Sequence, residues 1–304
     1  MSEDLPHFFN DYGGLTPMAI ECGDILRFPR FFTAEAFVEC FQENFLRPSS
    51  VERHQCSLPP AAQSVPREAF YDACHRWGCL TAIFPRKDLK SYDAIIVYAL
   101  GVEGMYSVGK YLQTLLSNVP KDDMSNIRKI FILTGSRPLT MEGEESMAQC
   151  LRERNLPDTE EWAARVLFRN FLKDFELSFE IINVPMRRGY DAKGEMCWER
   201  PNTRDTLHAF FKKCGHEMAS ILAISVNPFV SYQHAVGMAT WAETAGHEIF
   251  VSKILETVGP LHPRFIPSRW SQDADRLMAI MLDNFARCTY EELGILKVKG
   301  MISC

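Results

Sequence analysis

Four short stretches gather the side chains that could hold or transform a ligand: "GVEG" (101–104), "TGSRPLT" (134–140), "PMRRGYDAKGEMCWERPNT" (185–203) and "NPFVSYQ" (227–233). Each follows an apolar run and is richer in Gly, Pro and polar residues than a plain turn requires. In the second, Gly135 permits a sharp turn and a close approach of backbone to a ligand, with Thr134 and Ser136 on either side. Free amides at the start of the following helix favour an anion or a carboxylate-bearing ligand. The acids Glu142, Glu144 and Glu145 argue partly against a phosphate there and favour a sugar hydroxyl, an amine or a sulfonium. They read equally as N-terminal residues of a helix, where negative charge suits the dipole.

The third stretch is long enough for a loop with a task. Its end, "ERPNTRDT", sets Asn202, Thr203 and Asp205 side by side. As a helix cap these need no function; as a site they bring an amide, a hydroxyl and a carboxylate to one place. Arg187 and Arg188 would either receive a carboxylate or phosphate or stand as solvated loop charges. Gly101 and Glu103 mark the first stretch, Asn227 and Pro228 the fourth. His234 falls about one turn into a helix, where a lone histidine is more often a packing residue than a base.

The elements that must position these residues follow from periodicity. Residues 1–90 read as a helical N-terminal extension. There "TAEAFVECFQENF" opens on a Thr33 cap, and "PREAFYDACHRWG" opens on Pro66 and closes on Gly78. From 91 to 255 strands and helices alternate: "YDAIIVYAL", "RKIFILT", "FEIINVP", "SILAISVN" and "EIFVSKI" as strands, with helices between them. One helix, "DTEEWAARVLFRNFLKDF", has Asp158 as its expected cap and Glu161 at the capping-box offset. Another, "TRDTLHAFFKKCG", is expected to end at Gly215. Residues 256–304 form a helical tail around "ADRLMAIMLDNFARC". The expected fold is α/β: a mostly parallel sheet of about five strands with helices on both faces, extension and tail packing on it as one structural domain. In such a sheet ligands lie at the strand carboxyl ends near a topological switch point.

Bulk properties exclude several classes. The net charge is −6, which argues against a nucleic-acid partner. No stretch reaches the roughly 18 consecutive apolar residues of a membrane span, and the acidic N-terminus lacks a signal peptide's pattern, so a cytoplasmic setting is expected. The ten cysteines show no framework spacing. Cys74 and Cys79, with His75 between, lack the partner motif of a metal site and read as small hydrophobes; no metal is indicated. G-x-G-x-x-G, the P-loop and G-x-S-x-G are all absent.

Taken together, the four strand ends resemble the YdcF/SanA/ElyC family of Rossmann-like proteins. The counterparts are "YDAIIVYALG", "IFILTGS…GEESMAQCLRERNLP", "ERPNTRDT" and "ILAISVNPFVSYQHAVG", covering residues 92–245. The last segment is most similar to the cytoplasmic YdcF branch, and the lack of an anchor segment fits that branch too. Asn202, Thr203 and Asp205 match "N-T-x-[ED]", but Thr206 replaces a final Asn; "TGS" replaces "SGG"; Val230 and Gln233 stand where the wider family has His and Arg. The resemblance implies a Rossmann-like sheet and, for that branch, binding of S-adenosylmethionine with no assigned reaction. On that reading Glu103 or Asp205 would take the ribose or the amine, and the amides of Gly135 and Ser136 the carboxylate. Two alternatives stay open. One is a hydrolase or transferase for a phosphate- or glycan-like substrate, with Arg187 or Arg188 as clamp and Glu103 or Asp205 as base. The other is a non-catalytic interaction protein whose site has decayed.

Overall fold

Unbroken apolar runs become strands buried on both faces, as their composition dictates. The computed structural model describes residues 5–30, 33–48, 55–120, 123, 127, 129–140, 143–175, 177–190, 194–214, 217–245 and 253–301. Its elements begin with helices α1 (Pro17–Ile25), α2 (Ala34–Phe45) and α3 (Arg67–Arg76). Strand β1 (Ala94–Tyr98), helix α4 (Gly101–Ser117), strand β2 (Ile130–Gly135) and helices α5 (Glu145–Glu153) and α6 (Glu160–Leu172) follow. Next come strands β3 (Phe179–Val184), β4 (Arg187–Tyr190) and β5 (Met196–Glu199), helix α7 (Thr203–Lys213) and strand β6 (Ser220–Ile224). The chain continues through α8 (Val230–Ala245), β7 (Ile254–Val258), α9 (Pro267–Trp270) and α10 (Ala274–Val298).

These elements fall into two compact units. The sheet unit comprises Ile83–Val226 and Glu243–Pro260. Its five strands lie in the order β3-β2-β1-β6-β7, every adjacent pair parallel. The register pairs Ile95 with Ile130 and with Leu222, and Ile130 with Phe179. The expected mostly parallel α/β sheet, flanked by helices, is therefore what forms. Every residue of β1 and β2 is buried. Helix α4 meets α6 at Gly109, where an added Cβ would lie 2.2 Å from the Phe171 ring, so the glycine sets the closeness of that packing.

The helical unit comprises Met1–Ala82, Asn227–Ala242 and Leu261–Cys304. Thr33 caps α2 through its hydroxyl, as the sequence predicts. An aromatic cluster of Phe8, Phe37, Phe41 and Phe285 fills this unit, ring centroids 4.9–6.0 Å apart among the contacting pairs. Cys74 and Cys79 are buried free thiols at and just past the end of α3, in keeping with packing residues. On α10 the buried Glu292 accepts the N–H groups of Phe8 (2.8 Å) and Phe9 (3.2 Å) through Oε2. Burial pushes its carboxyl up to about 7, against the pull of those amides.

Several local expectations are corrected. "GVEG" is not a loop: α4 starts at Gly101, which takes φ of +71° and so turns the chain where a side chain would be strained. The expected long loop at 185–203 contains an antiparallel hairpin, β4 with β5. Helix α6 starts one residue later than predicted, with Thr159 at the cap position and no side-chain cap bond; Asp158 instead pairs with Arg152 at 2.9 Å. The expected strand "EIFVSKI" mostly lies outside the described residues, and β7 begins at Ile254. Gly215 also lies outside them; α7 ends at Lys213. Among the described residues no helix is long and apolar enough to cross a membrane.

Candidate functional site

With all strands parallel, their carboxyl ends share one edge of the sheet. Within the sheet unit this edge carries the loops after β1, β2 and β3, and hence the predicted residues at 101, 103, 134–136, 145, 187, 202, 203 and 205. Asn227 and Pro228 belong to the helical unit.

A buried charge cluster stands between the loops after β1 and β2. The Arg137 guanidinium grips Glu144 with two parallel bonds, Nη1 to Oε2 at 2.9 Å and Nη2 to Oε1 at 2.6 Å. Its Nε lies 3.2 Å from Glu160 Oε2. Exposures of 6%, 3% and 8% for Arg137, Glu144 and Glu160 make this a desolvated pairing, the kind that needs full hydrogen bonding to persist. Glu160 Oε1 also accepts the Gly101 N–H at 3.0 Å. The first amide of α4, the group a bound phosphate would seek, is thus already held by a carboxylate of the chain. Burial would lower the Arg137 guanidinium, but Glu144 and Glu160 outweigh it and hold it above its ordinary value. Burial pushes the Glu160 carboxyl up, while Arg137 and Arg200 pull it back. Residues 137, 144 and 160 come from separate segments with no motif spacing; the only sequence signal is an arginine two positions past a strand-ending glycine.

The predicted residues at the β2 end are engaged by the protein itself. A Cβ on Gly135 would come 2.5 Å from Pro201 Cγ, so the space its lack of a side chain leaves is taken by Pro201. The Ser136 N–H, expected to face a ligand carboxylate, donates to Val184 O at 3.1 Å as a continuation of the β2–β3 ladder. Thr134 is buried, its hydroxyl 3.4 Å from Gly135 O. Glu145 is exposed and accepts the Gly143 N–H at 3.0 Å, while Glu142 lies outside the described residues.

At the start of α7 the sequence's cap reading is realised. Asn202 Oδ1 accepts the Asp205 N–H at 3.0 Å and Asp205 Oδ2 accepts the Asn202 N–H at 2.8 Å, a complete capping box. The carbonyl of Thr203 accepts from the Thr206 hydroxyl at 2.9 Å. Arg187, on β4, donates from Nε to Glu199 at 2.9 Å and lies 3.5 Å from Asp205 Oδ1. Arg188 stacks over Trp198, 5.8 Å from the ring centroid. Both oxygens of Asp205 are therefore engaged and Arg187 is paired. Glu103 is half-buried in the first turn of α4.

One group at this edge is left unmatched. Asn183, near the end of β3, donates from Nδ2 to Ser136 Oγ at 2.6 Å and to Glu161 Oε2 at 2.8 Å. A carboxylate only accepts, so Glu161 fixes which end of the amide is nitrogen. The other end, Oδ1, is buried with no hydrogen-bond partner. An acceptor stranded this way carries a penalty of about 1–3 kcal/mol, which a donor from a ligand would relieve. Sequence reasoning passed over Asn183 because it sits inside an apolar strand.

In the helical unit Asn227 is fully buried. Its Nδ2 donates to Gly78 O (2.8 Å) and Thr81 O (2.7 Å), and the carbonyl of Pro228 accepts from Asn284 Nδ2 at 2.9 Å. These bonds tie loops together. His234 lies within α8. Among the described residues no three His, Cys, Asp or Glu side chains come together as metal ligands would.

Comparison of the chain with protein-family models, with curated proteins and with solved structures gives no match.

Proposed function

We propose that the protein is a small-molecule binder of the YdcF type, taking S-adenosylmethionine or a related adenosine compound along the carboxyl ends of β1–β3. The orphaned Asn183 Oδ1 carries this reading. Beside it stand further acceptors, Ser136 Oγ and the Glu161 carboxylate, which Asn183 and Arg165 already share. Acceptors suit a ligand that presents ribose hydroxyls, an amine or a sulfonium, and they disfavour one that leads with phosphate. When bound, S-adenosylmethionine would supply an activated methyl group; Asn183 would receive a donor from its ribose or its amino end. No acid–base role falls to Asp205, whose oxygens are both engaged, and the reaction stays unassigned.

Calorimetric titration with S-adenosylmethionine, S-adenosylhomocysteine, adenosine and ATP tests the proposal. Binding of the first three, weakened about tenfold or more by Asn183→Ala in a variant that still melts cooperatively, is the expected result. No heat from any of them at millimolar concentration overturns it. A second reading, a non-catalytic interaction protein, is favoured by Pro201 filling the space at Gly135. It predicts no adenosine binding and no change in ligand response on substituting Asn183.

A further inference from the structure

A second concavity lies at the other end of β3, in the sheet unit, and none of the residues discussed above as candidate ligand contacts line it. It has a volume of about 630 Å³, within the range of sites for metabolite-sized ligands. Trp162, Arg165, Val166, Arg169 and Lys173 of α6 and the residue after it form one wall. These positions follow helical spacing, i, i+3, i+4, i+7 and i+11, so they share a face, while Ala163, Leu167 and Phe168 bury the opposite one. Arg154, just after α5, closes one side. Leu156, Leu177 and Phe179, the first residue of β3, supply apolar surface. From Phe179 to Val184 the strand advances five steps of about 3.3 Å, roughly 16 Å, which separates this concavity from the carboxyl edge.

Its charge is one-sided. Four cations line it, and none of its described lining residues is acidic. Only Arg165 is neutralised, by Glu161 at 2.6 Å. Arg154, Arg169 and Lys173 form no ion pair among the described residues. Arg165, Arg169 and Lys173 also stand at successive i, i+4 spacings, where like charges repel. A chain of net charge −6 has acids to spare, yet none of the described lining residues is one. Trp162 brings an aromatic ring, with Arg165 stacked 5.6 Å from its centroid.

We infer that this concavity is a binding site for a metabolite-sized oxyanion, a phosphate monoester or a carboxylate, carried on an aromatic body. Guanidinium forks match such oxyanions in bidentate geometry, and the apolar residues with Trp162 receive the flat body. This site is independent of the adenosine reading, because Asn183 and Phe179 stand at opposite ends of the strand.

The test is calorimetric titration of the full chain with 1-naphthyl phosphate, with inorganic phosphate and 1-naphthol as its separate halves. Naphthyl phosphate is expected to bind at least about tenfold more tightly than either half. The exposed double variant Arg169→Glu/Lys173→Glu should weaken it by roughly tenfold or more, and added salt should weaken it in the wild type. Asn183→Ala should leave it unchanged while weakening adenosine binding, so failure of one site is told from failure of the other. Equal affinity in the double variant, or no binding to the wild type at millimolar concentration, overturns the inference. So does inorganic phosphate binding as tightly as the ester, since the aromatic body would then do nothing.

Discussion

The two ends of β3 treat charge in opposite ways. At the carboxyl edge Arg137 is buried, forked onto Glu144 and set against Glu160. At the amino end Arg154, Arg169 and Lys173 are exposed and unpaired among the described residues. Desolvated charges must find partners within the fold or be expelled, so the first set is structural before it is anything else. Exposed cations are stabilised by water and need no partner, so their alignment along one concavity is free to answer to a ligand. Where charge is satisfied, function must come from what is left over, which among the described residues of the sheet unit is the acceptor on Asn183.

The sharpest way to break this contrast is Arg137→Met. It takes away the guanidinium that both Glu144 and Glu160 pair with inside the fold, and chemical denaturation should show a loss of about 3–5 kcal/mol. A loss below about 1 kcal/mol would mean the cluster is not held as a desolvated unit.

Glu292 extends the contrast to a buried carboxylate held by amides. Its carboxyl is raised to about 7 from 4.5, so its contribution to stability is fully present below pH 4.5 and is lost as pH rises through about 7. The difference amounts to roughly 3 kcal/mol. Glu292→Gln keeps an oxygen for the Phe8 and Phe9 amides and cannot ionise. Stability measured from pH 4.5 to 8 should fall with pH in the wild type more steeply than in the variant, and parallel curves would refute the assignment.

Next in size, Gly135→Ala forces a Cβ against Pro201 and should cost about 1–3 kcal/mol. A ligand-facing glycine would instead show little change in stability and a loss of binding. The smallest effect belongs to the groove. Arg169→Ala with Lys173→Ala should change stability by no more than about 0.5 kcal/mol, with a slight gain at low salt as repulsion along α6 is relieved. A loss above about 2 kcal/mol would show those cations to be structural after all.

The sequence made some of this legible. Strands β1, β2 and β6 are near-continuous apolar runs, and such runs in alternation with helices specify a parallel sheet. A cap at Asn202 or Thr203 was readable from residue type; the fold selects Asn202 and closes a capping box with Asp205. The hairpin β4–β5 was not readable: its residues are all exposed or half-buried and include Gly189, a composition a loop shares. Gly135 was singled out as a turn that lets backbone approach a ligand, but what fills the space beside it lies 66 positions onward, at Pro201. Sequence spacing registers a requirement for room; only the fold says who occupies it. The cations of α6 are visible in "WAARVLFRNFLK", but charges on the open face of an amphipathic helix look the same in sequence whether or not they line a concavity.

The bond from Gly101 N–H to Glu160 also bears on the order in which the chain can assemble. Helix starts are ordinarily local events, settled by a cap a few residues away. Here the acceptor for the first amide of α4 arrives 59 residues later. Closing that loop must meet its entropic cost before the contact rewards it. The β1–α4 turn therefore gains its final acceptor only once the start of α6 has docked, and a helix that looks autonomous in sequence is completed by a long-range event.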